Sequence, residues 1–460
     1  MKHGAPDAGL LPRREVSVVR PFPTEVYADR RRRFMEQIGA NAAALFVAAP
    51  VALRSHDVEY PYRPDNDLLY LTGFPEPESA CLLLPGHPEQ DYVLFVRPYD
   101  SERQVWVGGH AGVEGAVREY GARRAYPIQQ IDEVVGELVS QREELFFRFG
   151  RDPEWNRRVV GWMRQWQELR PRSGRGPVSL RDPAVILHEM RLRKEPVEVE
   201  RMRVAAQIAA EGHCRALREV RPGMYEFEVE ALLDSTFRSL GASGPAYPSI
   251  VAAGANATVL HYTHNDCPCL EGQLLLIDAG AEYAFYCSDI TRTFPIGRRF
   301  SPPQRDLYEV VLAAQKAAIE VVRPGARYDE PHRRAVEVLV DGLVQLHLLT
   351  GSVEENIAQE RYRRFFMHRT SHWLGMDVHD VGMYKCNDEF RKLEPGFVLT
   401  VEPGLYIGED CADVPAEFRG IGIRIEDDVL VTPEGREVLT ASVPKEVVEI
   451  EALRREAVFA

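Results

Sequence analysis

The sequence predicts a mixed α/β (α+β) protein of two domains, and three observations carry that prediction. Apolar β-like runs alternate with helical stretches along the chain. At 460 residues the chain is too long for one ordinary hydrophobic core. In the second part, a helix, Val-Arg-Pro-Gly, helix pattern occurs twice, from Val220 and from Val322. A repeat of about a hundred residues points to a duplicated α/β unit with pseudo-twofold symmetry.

The first domain is expected over residues 1–178. Its N-terminus, MKHGAPDAGLLPRREVSVVRPFPTEVY, has no continuous apolar run and no small-residue cleavage site, so it does not read as a secretory leader. The run from Arg30 to Arg33 reads as a solvated helix face. AAALFVAAP, SACLLLPG, DYVLFVRP and EELFFRFG are strand candidates, and RDPEWNRRVVGWMRQWQELRPR is an amphipathic helix. SGRGPVS, from Ser173 to Ser179, has linker composition, which places the boundary near Pro177 to Asp182.

The second domain is expected over 179–460. It opens with KEPVEVERMRVAAQIAAEGHCRAL, where Pro196 suits a first helical turn and apolar residues recur at three and four. LLLIDAGAEYAFYCSDITRTFPIG then reads as a β-hairpin, with Asp278 ending one strand and Asp289 on the returning one. In the second repeat, FVLTVEPGLYI puts Glu402 in an apolar strand. GIGIRIEDDVLV puts Glu426 in another, with Arg424 on the same face two residues earlier.

Composition excludes several function classes. A net charge of −14 argues against a nucleic-acid partner. No apolar run approaches the roughly 18 residues of a membrane span. The seven cysteines lack framework spacing and read as reduced thiols in a cytoplasmic protein. Cys267 and Cys269 form one close pair, without the second pair that a structural zinc site needs.

Four carboxylates on otherwise apolar strands, two per repeat, need compensation, since an ionised carboxylate is rarely buried unpaired. Two divalent cations would neutralise them; a shared proton per pair is the rival solution. Taken one at a time, each acid also fits a turn or a strand end. The stretch MHRTSHWLGMDVHD holds three of the 13 histidines, His368, His372 and His379. His372 fits as a fifth ligand. His368 and His372 share the spacing of a helical zinc pair, but no HExxH pattern accompanies them. An oxygen-rich set with one imidazole and no thiolate favours Mn²⁺, Co²⁺ or Fe²⁺ over a structural zinc. Two such ions would sit roughly 3.5–4 Å apart and could hold a hydroxide between them.

The motifs LHYTHND, LLLIDAG, SDITRTFP, SHWLGMDVHDVG, LTVEPGLYI and GIGIRIEDD, in this order, resemble the aminopeptidase P family, the Xaa-Pro aminopeptidases of pita-bread architecture. EYPYRPDNDLLYLTGF resembles that family's accessory domain. The resemblance implies a hydrolase that releases the first residue from peptides with proline second. It implies two divalent ions, with Mn²⁺ foremost and Co²⁺, Fe²⁺ or Zn²⁺ as alternatives, on Asp278, Asp289, His372, Glu402 and Glu426. Asp289 and Glu426 would bridge them. His261, His368, His379, Glu402 and Arg424 would support catalysis, with Glu402 relaying a proton and His368 and His379 stabilising the oxyanion or orienting the substrate carbonyl. Tyr406 would meet substrate, and Asp57 and Trp106 would face a partner subunit's site in a homotetramer or homodimer. One departure is Arg369, where many relatives carry glycine. Prolidase, which shares the fold and the ligands but cleaves dipeptides, is the alternative reading; a metal-free binding protein or an amidinohydrolase of this fold is a third.

Overall fold

The computed structural model describes residues 21–456, so the N-terminal leader reading lies outside the described residues apart from its last few. Contacts divide the chain into two compact units, with the division between Arg191 and Leu192. Linker composition places the boundary near Pro177 to Asp182, with the first domain expected to end at Val178. The N-terminal unit runs further because Ser179–Arg181 forms a strand parallel to Glu144–Phe147.

The N-terminal unit is built on a six-stranded mixed sheet. Its order is Arg124–Pro127, Tyr92–Val96, Ala80–Leu83, Ala42–Val47, Glu144–Phe147 and Ser179–Arg181. All four predicted strands are present. Three of the four inner strands, Tyr92–Val96, Ala80–Leu83 and Ala42–Val47, are buried on both faces, which is why they read as unbroken apolar runs rather than alternating ones. The helix Pro153–Ser173 starts where Asp152 accepts from the Glu154 and Trp155 amides at 2.8 and 3.0 Å. It buries Val159, Trp162 and Trp166 against the sheet.

The four-arginine run departs from expectation. Arg30 is 1% exposed and Arg31 6%. The Arg30 guanidinium lies 3.9 Å from the Tyr70 ring centroid and donates to the Tyr70 carbonyl; Arg31 lies 3.8 Å from Tyr92 and donates to the Leu71 carbonyl. Aromatic faces and carbonyls replace water around these planar cations. Only Arg32 and Arg33 lie on the solvated face, paired with Asp29 and, for Arg32, Glu36.

The C-terminal unit is mixed α/β and repeats one plan. Helices Pro196–Glu219 and Glu226–Ser239 precede a sheet of Ile250–Ala253, Leu274–Asp278 and Thr291–Pro295. Helices Pro302–Glu320 and Glu330–Gln345 precede a sheet of Val398–Val401, Asp427–Thr432 and Gly435–Val438. Both Val-Arg-Pro-Gly segments turn the chain between paired helices, and Gly223 and Gly325 have φ of 92° and 83°. That left-handed backbone suits glycine alone, so the repeat is a turn requirement met twice. The halves meet along a seam. There the Glu426 amide donates to the Thr291 carbonyl at 3.1 Å, and Thr293 exchanges hydrogen bonds with the backbone of Arg424.

Candidate active site

The acids converge at this seam, but not from within strands as the sequence suggests. Asp278 ends its strand as expected. Asp289 lies in a gap between Tyr286–Cys287 and Thr291–Pro295. Glu402 falls between Val398–Val401 and Gly404–Ile407, and Glu426 between Ile421–Arg424 and Asp427–Thr432. Interrupting the ladder frees each side chain from the alternation of the pleat and aims it into one cavity. Apolar flanks hide these breaks from a reading based on hydrophobic pattern.

The cavity measures about 510 Å³, within the range of small-ligand sites. Asp278, Asp289, His372, Glu402 and Glu426 line it, as do His261, His368, Arg369, His379 and Arg424. Pro248, Ile250, Leu260 and Val378 give it an apolar wall. Asp57 and Trp106 do not line it. Asp57 lies in an exposed turn, and Trp106 is 86% exposed on the helix Ser101–Val107.

The donor atoms are close. His372 Nε2 lies 3.4 Å from Asp289 Oδ2 and 3.7 Å from Glu402 Oε1. Asp289, His372 and Glu426 each put a ligand atom within 4.8 Å of the others. His372 Nδ1 meets the Trp373 carbonyl at 3.0 Å. A carbonyl only accepts, so Nδ1 holds a proton and Nε2 is the nitrogen that faces the acids. His372 lies on a loop and not on a helix, so it forms no helical pair with His368.

Left to the protein's own charges, the cluster strains toward protonation. Burial, with Asp289, Glu402 and Asp278 adding to it, pushes Glu426 well above the carboxylate range. Burial, reinforced by Asp278, also raises Asp289. Glu402 is pushed up to about 7, by burial first and by Asp289 and Asp278 against the pull of His372 and Arg424. Burial alone would lower His372, but Asp289 and Glu402 outweigh it and raise the imidazole to about 9. Such a buried, carboxylate-rich set with one imidazole fits divalent cations, which would displace these protons. Protein treated with chelator is therefore expected to take up Mn²⁺ more tightly as pH rises through about 7 and on to about 9, the ranges of Glu402 and His372. Proton release on binding, measured by calorimetry in buffers of different ionisation enthalpy, checks this. Uptake independent of pH would contradict it.

Further groups hold the acids in place. Arg424 Nη2 donates to Asp278 Oδ2 at 2.6 Å and Nη1 to the Tyr406 hydroxyl at 3.0 Å. Tyr406 meets His368 Nε2 at 2.8 Å, and His368 Nδ1 meets the Arg369 carbonyl at 2.7 Å. Nδ1 must donate, so Nε2 accepts from Tyr406 and both ring nitrogens of His368 are engaged. Burial, with Arg424 nearby, lowers His368 to about 4, so the ring is neutral at pH 7. His261 and His379, by contrast, make no hydrogen bond among the described residues. His379 packs edge-on against His372 with centroids 4.5 Å apart, and burial lowers its pKa.

Sequence reasoning missed several participants. The Tyr247 hydroxyl contacts both Asp278, at 2.6 Å, and Asp289. Thr291 donates to Glu426 at 2.6 Å, and Asp428 accepts from the Asp289 amide at 3.1 Å. Nothing local marks Tyr247 among the 18 tyrosines, whereas Asp428 sits in the conspicuous acidic run after Arg424. A second group, Glu226, Asp266 and Cys267, also has ligand-like spacing. Glu226 there already accepts from Ala253 N, Asn256 Nδ2, Tyr262 Oη and Cys267 N at 2.7–3.0 Å, so its oxygens are spent on structure.

The family model of metallopeptidase family M24 matches residues 200–433, and that of the aminopeptidase P N-terminal domain matches 27–146. The chain belongs to the M24 metallopeptidases, in the arrangement that carries an aminopeptidase P N-terminal domain. Among relatives, the Xaa-Pro aminopeptidase of Escherichia coli (strain K12) is 43% identical over 93% of this chain and 97% of its own length. Xaa-Pro aminopeptidase 3 of Homo sapiens is 33% identical over 94% of this chain and 86% of its own. The aminopeptidase PepP structure from Pseudomonas aeruginosa superposes with a TM-score of 0.93 at 48% identity, covering 95% of this chain and 99% of that one. A variant of Escherichia coli aminopeptidase P in complex with substrate superposes with a TM-score of 0.92 at 42% identity, over 95% and 99%.

Proposed function

We propose that this chain is an Xaa-Pro aminopeptidase, hydrolysing the bond between a peptide's first residue and a proline in second position. The observation that carries the reading is the convergence of four carboxylates and His372 in one cavity, beside two histidines that make no hydrogen bond among the described residues. Asp278, Asp289, His372, Glu402 and Glu426 would hold two divalent cations, Mn²⁺ foremost and Co²⁺, Fe²⁺ or Zn²⁺ as alternatives. Those cations would supply Lewis acidity and a water of lowered pKa.

The chain's own groups divide the remaining work. The acidic floor attracts the substrate's α-ammonium, which fits removal of one residue from the amino end. Glu402, with its proton affinity raised toward neutrality, takes a proton from the attacking water and passes it to the departing proline nitrogen. That nitrogen must gain a proton to leave as an amine, and in a tertiary amide it has no N–H to offer the site beforehand. A site that grips no N–H of the scissile amide can accept proline. His379 and His261 are the donors for the carbonyl oxygen as charge develops on it. His368 acts through Tyr406 and Arg424, holding the side chain that clamps Asp278.

Homo-oligomerisation, with Asp57 and Trp106 facing a partner's cleft, belongs to the same reading and draws support from the exposure of Trp106. So does a cytoplasmic setting, supported by seven cysteines that form no disulfide. No helix among the described residues is long and apolar enough to cross a membrane.

The deciding experiment restores chelator-treated protein with Mn²⁺ and offers Arg-Pro-Pro and Gly-Pro side by side. Release of arginine with Gly-Pro left intact is expected. Cleavage of Gly-Pro alone would make the chain a prolidase.

A further inference from the structure

We propose that Arg369 sets substrate preference by taking a carboxylate on the proline side of the scissile bond. The proposal rests on the peptidase reading above. Arg369 and Arg424 are the two arginines lining the cavity. Arg424 is committed, with its guanidinium bound to Asp278 and Tyr406. The Arg369 guanidinium has no hydrogen bond or ion pair among the described residues, and the residue is exposed. Its backbone is nonetheless fixed, since its carbonyl receives His368 Nδ1 at 2.7 Å. An uncommitted cation thus stands at the wall of a cavity whose floor carries four acids.

The charge pattern orients a peptide. The ammonium end goes to the acidic floor, and the same floor repels any substrate carboxylate. A carboxylate further along the peptide finds its counter-charge at Arg369, whose planar fork suits two-point contact with it. An extended tripeptide spans about 10 Å, so its terminal carboxylate clears the floor. The carboxylate could belong to a free C-terminus at the third residue or to an acidic side chain there in a longer peptide.

The test uses the full chain with Mn²⁺ and two substrate pairs. Ala-Pro-Ala is compared with its amide, and Ala-Pro-Asp-Ala-amide with Ala-Pro-Asn-Ala-amide. The first pair reads the terminal carboxylate and the second the side chain. In at least one pair the acid should have a KM about fivefold to tenfold lower. The readout is that ratio, which should fall to within about twofold in Arg369→Gln, recover in part in Arg369→Lys and shrink with added salt. A second arm needs no turnover: Pro-Ala and Pro-Ala-amide are titrated into chelator-treated protein, with the same preference expected in Kd and its loss in Arg369→Gln. If wild-type protein treats both members of each pair alike, the proposal falls and the peptidase reading stands. If it cleaves none of the four, the peptidase reading falls and the titration decides Arg369 by itself.

Discussion

Replacement of Glu402 by glutamine is expected to reduce kcat on Arg-Pro-Pro by about 10²–10⁴-fold, the range of a lost general base. The amide keeps the shape of the side chain but cannot accept the proton of the attacking water. Glu402 is also the acid nearest His372 on the second repeat's side, at 3.7 Å, so the variant must be measured with its metal content determined in the same sample. Loss of rate at full metal content isolates the proton relay. His261→Ala should lose much less, about tenfold, since His261 makes no internal hydrogen bond and His379 shares its task. Equal losses in the two variants would overturn this ranking.

The second large effect lies behind the cavity wall. Lys194 Nζ meets Asp380 Oδ2 at 2.9 Å, and both side chains are 1% exposed. Asp380 follows His379 in sequence, and its amide donates to the Trp373 carbonyl at 2.8 Å. Gly375 has no room for a side chain there, because a Cβ would fall 2.1 Å from the Asp380 carboxylate. Asp380→Asn leaves a buried ammonium without its counter-charge. The expected loss is about 3–5 kcal/mol in the unfolding of the C-terminal unit, seen as a lower thermal midpoint. Replacing both partners, Lys194→Met with Asp380→Leu, should restore much of that stability, since the penalty arises from the orphaned charge. A single variant as stable as wild type would show that the pair contributes nothing.

Much of the fold was legible because it rests on local patterns. The buried strands of the first sheet are continuous apolar runs, and the helix Pro153–Ser173 carries its own cap and proline. The duplicated plan showed in two glycines that share one turn geometry. The five candidate ligands stood out as charges in apolar surroundings, which burial makes conspicuous. Their strand placement did not, because a gap of two or three residues in a ladder leaves no mark on hydrophobicity. Tyr247 was invisible for a related reason. Its importance comes from lying opposite Asp278 and Asp289, a pairing set by the sheet and not by neighbours in sequence. The engagement of both nitrogens of His368 likewise depends on Tyr406, 38 residues away.

The arginine run near the N-terminus carries a last consequence. As a string of letters, Arg30 to Arg33 advertises a landing place for phosphates, sulfated sugars or acidic tails. Folding withdraws the offer. Two of the guanidiniums are roofed by tyrosine rings and each donates to a main-chain oxygen, and the other two are already matched by acids on their own helix. The tract behaves as a dowel that seats the first helix on the helix Asn66–Thr72 and the strand Tyr92–Val96, and its four charges present almost no basic face to a passing polyanion.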